Sequence, residues 1–230
     1  MSKFADLASH RKRSLIAGLL YILTFVSIPS LALYKPVKTV SYITGGGSDT
    51  SAIVAAILEI TVALAGIATA VVLFPILKKK NESAALGLVA ARILESGTIF
   101  VGVAFLMAIV TLRKAGVGAD ALVTGHALVA LYDRIFLLGQ SFMPAICDLL
   151  LGFLLFKSRL VPRRLALIGI VGGPILLAGW LAVMTGAIDQ HGHLAGLSAF
   201  PVAIFEFSLG VWLIVKGFNP KAVAALESKE

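Results

Sequence analysis

Five residues that can carry charge, Glu59, Arg92, Glu95, Asp148 and Glu206, lie inside stretches that are otherwise apolar. A charge near the centre of a bilayer costs roughly 2.5–3.5 kcal/mol on insertion scales. Left unpaired, the five would cost on the order of 12–18 kcal/mol. That exceeds the roughly 5–15 kcal/mol of net stability typical of a whole fold. They must therefore face inward, and pair or be neutralised. Arg92 and Glu95 are three residues apart, so they share a helix face and can pair. The base precedes the acid, the less favourable order for the helix itself. The pair is thus poorly explained as support for its own helix alone.

Four acids against one arginine leave about three without a counter-charge. Burial disfavours an ionised carboxyl, so one or more of the four is expected to hold its proton near neutral pH. By depth, an inward-facing ladder of Glu59, Glu95 and Glu206 ending at Arg92 and Asp148 is expected. Such a ladder suits a ligand or ion pathway that binds or conducts a small ligand, a cation or a proton. The alternative is structural: the charges only fix helix packing. Catalysis has the least support. The chain has no His-Glu-x-x-His zinc pattern and no Gly-x-Ser-x-Gly elbow. His10, His126, His191 and His193 lie outside the apolar runs or at their edges, where they cannot hold a haem between two spans. His191 and His193, two apart in a loop, read as solvated rather than as metal ligands. Gly45-Gly46-Gly47-Ser48 lacks the lysine and hydroxyl of a phosphate cradle and reads as a turn. The protein is therefore read as non-enzymatic, with no catalytic residue, cofactor or metal expected.

The elements that position these residues follow from composition. Of 230 residues, 59% are hydrophobic and only 14% charged, where a soluble domain carries about a quarter. Much of the surface must face lipid. Apolar runs at 14–34, 52–77, 84–112, 135–156, 165–185 and 197–215 are each long enough to cross a bilayer, which takes about 20 helical residues. The expected fold is an all-α membrane protein, a six-transmembrane-helix bundle forming a single integral-membrane domain over residues 1–230. The net charge of +8 does not point to nucleic acid, because the basic residues fall at segment ends; the lipid bilayer is the expected partner. The oligomeric state is not legible. Cys147 is the only cysteine and cannot form an internal disulfide.

Residues 1–13 read as a polar leader, and the first run as an uncleaved span rather than a signal peptide. Residues 35–49 read as a polar loop, with Asp49 and Ser51 as candidate caps for the second helix. Residues 121–131 are apolar but too short to span. They are read as a short interfacial helix between the third and fourth spans. Gly169 and Gly173 have the spacing of a close helix–helix contact. The tail from Lys216 reads as polar. With the N-terminus inside, the leader, the Lys78 loop, the Lys157 hinge and the tail hold 14 of the 20 basic residues. The positive-inside rule then places both termini in the cytoplasm. That orientation argues against glycosylation at Asn81-Glu82-Ser83. The fourth and sixth spans also echo each other: Asp148 and Glu206 are each followed four residues on by a glycine, with Lys157 and Lys216 at the inner ends.

Several stretches together resemble a known family. They are Leu58-Glu59-Ile60, Phe74-Pro75-Ile76-Leu77-Lys78, Ala91-Arg92 with Glu95-Ser96, the hinge Phe156-Lys157-Ser158-Arg159-Leu160-Val161-Pro162-Arg163, and Leu209-Gly210-Val211-Trp212-Leu213-Ile214-Val215-Lys216-Gly217-Phe218. The family is that of bacterial multi-pass membrane proteins catalogued as domain of unknown function 4386. The likeness runs over nearly the whole chain; the hinge and the tryptophan-containing end of the last span are its most specific parts. It implies a bacterial cell-membrane protein and supplies no reaction, ligand or cofactor.

Overall fold

The computed structural model describes the backbone of residues 2–228 and the side chains of residues 9–228; Lys3 and Lys229, part of the charge count above, therefore lie outside the described side chains. In order, the helices are α1 (Ser2–Thr24), α2 (Ser30–Leu33), α3 (Val40–Ile43), α4 (Thr50–Leu77), α5 (Glu82–Lys114), α6 (Leu122–Phe136), α7 (Met143–Ser158), α8 (Arg163–Met184), α9 (His193–Val215) and α10 (Pro220–Glu227). Six helical stretches are long and apolar enough to cross a membrane: Ser9–Leu33, α4, α5, Gly118–Ser158, α8 and α9. The protein is an all-α membrane protein with six spans.

The polarity of the spans is inverted relative to a soluble helix. On α5, Leu94 is 58% exposed while its neighbour Glu95 is 8% exposed. Large apolar side chains such as Leu64, Val171 and Leu181 likewise face outward. That arrangement is stable only where the surroundings are hydrocarbon.

The spans pack in sequence order as a closed ring. α1 packs on α4, α4 on α5, α5 on the α6–α7 span, α7 on α8, α8 on α9, and α9 returns to α1. In a ring of six, α5 stands opposite α9, and α1 opposite α7. Small residues set the closest contacts. A Cβ on Gly18 would lie 2.7 Å from the carbonyl oxygen of Gly210, so α1 and α9 meet almost backbone to backbone. Gly152 and Gly210, the glycines of the internal echo, each face the next helix of the ring, α8 and α1 respectively. Gly169 and Gly173 do not serve one contact as their spacing suggested. Gly169 accommodates the Phe205 ring of α9, whereas Gly173 accommodates Leu149 and the Ala145 carbonyl of α7.

The α-helical path is broken in two spans, by a 3₁₀ turn in the first and a π turn in the fourth. Pro29 has no amide to give the preceding turn, and the first span loosens into a 3₁₀ turn at Phe25–Ser27 before α2. The hydroxyls of Thr24, Ser27 and Ser30 donate to carbonyls three residues back, at 2.7, 3.1 and 2.6 Å. In the fourth span a π-helical turn, Leu137–Phe142, joins α6 to α7, and Pro144 follows it.

Four local expectations are corrected. The apolar stretch 121–131 is not a separate interfacial helix; Ala121 closes a 3₁₀ turn and the rest belongs to α6, which runs on through the π turn into α7 as one long helical stretch. Residues 35–49 are not an open loop, because α3 and the 3₁₀ turn Pro36–Lys38 bury Val37, Tyr42 and Ile43 against Leu106, Ile109 and Tyr132. Asp49 occupies the position before α4 without capping it. Its carboxylate instead accepts from the Tyr42 hydroxyl at 2.6 Å and from Arg113. The tail contains α10, whose Ala222, Val223 and Leu226 are buried in the main core. His10 pairs with Glu227 at 2.7 Å, which joins the two ends of the chain on one face.

Candidate functional site

The ring interior holds two polar clusters. The larger starts on α5, where one helical turn brings Arg92 and Glu95 to the same face. Arg92 Nη1 donates to Glu95 Oε2 at 2.9 Å, and Nη2 donates to Glu206 Oε1 on α9 at 2.5 Å. Because α5 and α9 are opposite members of the ring, this second bond crosses its centre. Behind the triad, Cys147 Sγ donates to Glu95 Oε2 at 3.6 Å. Tyr21 from α1 places its ring 5.9 Å from the guanidinium carbon, at the outer limit of cation–π distance. Asp148 on α7 is 0% exposed, and neither of its carboxyl oxygens has a hydrogen-bond partner. Arg92 Nε is also without one.

The charges do not balance. One guanidinium faces Glu95 and Glu206, with Asp148 beside them. If both are ionised, two carboxylates around one arginine carry one negative charge more than it can neutralise. A cation or a proton would supply the missing positive charge, and a buried charge without compensation is strongly disfavoured.

The smaller cluster surrounds Glu59. Its Oε1 accepts from Tyr132 Oη at 3.2 Å and from Gln140 Nε2 at 3.3 Å, while Oε2 has no partner. The Tyr34 hydroxyl is buried and also unpartnered, and the Tyr34 ring meets Tyr132 edge-on at 5.6 Å. The expected five-residue ladder is therefore divided. Arg92, Glu95, Asp148 and Glu206 come together, and Glu59 stands apart in an aromatic setting.

A cavity of about 240 Å³ lies against the larger cluster and reaches Gln140 of the smaller. Every span contributes to its wall, among them Thr24, Val62, Glu95, Gln140, Leu176 and Glu206. Arg92 lies in the wall as well, and Ser96 anchors this region by donating to the Ala63 carbonyl at 2.8 Å. Gln140 stands between the clusters, since it lines the cavity together with Arg92, Glu95 and Glu206 and donates to Glu59. At about 30 Å³ per water, the space suits several waters or one small molecule, and it is below the ~300 Å³ at which pockets for drug-sized ligands begin.

The residues that sequence reasoning missed are Gln140, Tyr132, Tyr34, Tyr21 and Cys147. Gln140 sits in the π turn, a local geometry that often marks functional positions but has no sequence signature. Tyr34 and Tyr132, whose residue type suits an interface anchor or core packing equally, are almost completely buried beside Glu59. Among the described residues, no three His, Cys, Asp or Glu side chains converge in a metal-holding arrangement.

A family model described as "Domain of unknown function (DUF4386)" matches residues 16–217. The chain belongs to that family. No curated protein and no solved structure matches it.

Proposed function

We propose that this DUF4386 member is a non-enzymatic protein of a bacterial cell membrane whose ring interior takes up a small cationic ligand or a proton. Both termini are read as cytoplasmic, on the strength of the 14 basic residues that this orientation places inside. The observation that carries the functional reading is the pairing of Arg92 with both Glu95 and Glu206 in the wall of the interior cavity, with the unpartnered Asp148 behind. The cavity offers a cation excess acid to neutralise, apolar walls, and Gln140 as a hydrogen-bonding link to Glu59. Cys147, the one thiol near an acid, is fully buried and outside the cavity wall, which favours binding over nucleophilic chemistry.

A second reading has its own support. The Arg92–Glu206 bond ties two helices that do not otherwise pack as neighbours, so the charges could serve packing alone. Vesicle uptake separates the two. With the purified protein in vesicles holding a trapped pH dye, wild type should relax an imposed proton or small-amine gradient faster than empty vesicles, and Glu206→Gln should not. Equal relaxation by wild type, the variant and empty vesicles under every gradient would leave the packing role standing.

A further inference from the structure

On the face that carries both chain ends, a cleft of about 580 Å³ lies between the turn at residues 159–163 and the segment at 216–220. Arg159, Arg163 and Lys216 line it, and no acidic side chain does. Arg159 and Lys216 have no ion-pair or side-chain hydrogen-bond partner among the described residues, and Arg163 is engaged only over the Phe156 ring at 4.9 Å. This is the reverse of the ring interior, where acids outnumber the base.

Two further observations show that the cleft is a built feature rather than a loose basic edge. Arg159 has φ 59° and ψ 24°, and it is the only non-glycine among the described residues with a positive φ. Glycine is the residue that adopts this conformation without strain, and it commonly ends helices there. An arginine at the position keeps a strained backbone and a cation together. The second observation is Trp212, whose ring forms part of the cleft wall. The cleft wall itself is held in place, because the Asn219 amide donates to the Leu160 carbonyl at 2.9 Å.

We propose that this cleft binds the phosphate of an anionic membrane lipid. Arginine and lysine are the residues that hold phosphate oxygens, arginine by its planar fork and lysine as a point charge. The setting selects a lipid over a soluble phosphate. Val211 and Val215, on the same final turns of α9 as Trp212, are 41% and 62% exposed and form an apolar surface beside the cations. A headgroup in the cleft would leave its acyl chains along that surface.

The test uses the full chain with Trp180→Phe, so that Trp212 is the only indole of the two in the sequence. Nanodiscs of phosphatidylcholine are titrated with phosphatidylglycerol, and separate samples with inorganic phosphate, while indole emission is followed. A saturable change with phosphatidylglycerol is expected, weakened about tenfold, or about 1.4 kcal/mol, by Arg159→Gly and again by Lys216→Met. Arg159→Gly relieves the backbone, so its thermal midpoint should equal or exceed that of the parent. Loss of binding with that midpoint kept cannot be ascribed to unfolding. An unchanged response in both variants, or an equal response in pure phosphatidylcholine, overturns the proposal. Inorganic phosphate that binds as tightly as phosphatidylglycerol overturns the lipid assignment and leaves a site for soluble phosphate esters.

Discussion

Arg92 on α5 and Glu206 on α9 meet at 2.5 Å across the centre of a ring in which their helices are not neighbours. The same guanidinium also holds Glu95 at 2.9 Å. A single arginine thus organises the interior, and the first prediction follows from what its removal would strand.

Arg92→Met should be the most damaging single change in the interior. It leaves the buried Glu95 and the partly buried Glu206 without their cation, and stranding a buried charge in this way typically costs about 3–5 kcal/mol. Adding Glu95→Gln and Glu206→Gln to the same chain should restore most of the loss, because a neutralised cluster no longer needs the arginine. Denaturant or thermal unfolding of the single and triple variants in one detergent checks this. Equal stability of the two would mean that the triad is not the coupled unit described.

Gln140→Leu should separate function from stability. The amide makes one neutral-donor hydrogen bond to Glu59 at 3.3 Å. Its loss should cost on the order of 1 kcal/mol. If Gln140 links the two clusters, relaxation of a proton or amine gradient should fall towards that of empty vesicles while the protein remains folded. A variant with full activity would show that Glu59 and the central triad work independently.

The end of the bundle around Asp49 supplies a pH dependence with a definite sign. The Tyr42 hydroxyl first, and the Arg113 guanidinium second, hold the Asp49 carboxyl below the usual carboxylate range. A depressed folded value contributes stability above the ordinary value of about 3.9, and that stability is lost as pH falls through the lowered folded value. Tyr42 moves the other way: burial, then the Asp49 hydrogen bond, pushes it up to about 12. Its contribution is present below about 10 and is lost as pH rises towards the folded value. Thermal midpoints from pH 7 down to pH 3 should therefore fall less steeply in Asp49→Asn than in wild type. Parallel curves would contradict the assignment.

The ring closure can be tested at two glycines. A Cβ at Gly18 meets the Gly210 carbonyl oxygen at 2.7 Å, whereas a Cβ at Gly97 meets nothing within 4 Å. Gly18→Val should force α1 from α9 and destabilise by about 1–3 kcal/mol, the usual range for overpacking. Gly97→Ala should be neutral or stabilise by up to about 1 kcal/mol through helix propensity. Similar effects at both positions would count against the α1–α9 contact as the seam of the ring.

How much of this was legible in the sequence depends on the range of the interactions. The six spans are written in local composition, and the structure places them where the apolar runs lie. The Arg92–Glu95 pair is equally local, since three residues along a helix bring two side chains to one face. The bond from Arg92 to Glu206 is not. It depends on α5 and α9 standing opposite each other, which only the closure of α9 on α1 decides. Glu59 illustrates the same limit. Its depth suggested one continuous ladder, but the π turn and the burial of Tyr34 and Tyr132 give it separate partners. Residues 35–49 looked polar because their serines, threonines and lysines outnumber the few apolar side chains that pack inward.

The central claim is that the acid excess around Arg92 takes up a positive charge from outside the protein. Its most direct test is the thermal midpoint of wild type and Glu206→Gln as a function of pH and of added sodium, potassium, methylammonium and putrescine. A ligand bound to the folded state at about 100 times its dissociation constant stabilises by about 2.7 kcal/mol. A saturable upward shift is expected in wild type with at least one of these cations or with protons, absent from a Glu206→Gln variant that still folds. Identical pH and cation dependence in the two proteins would contradict it.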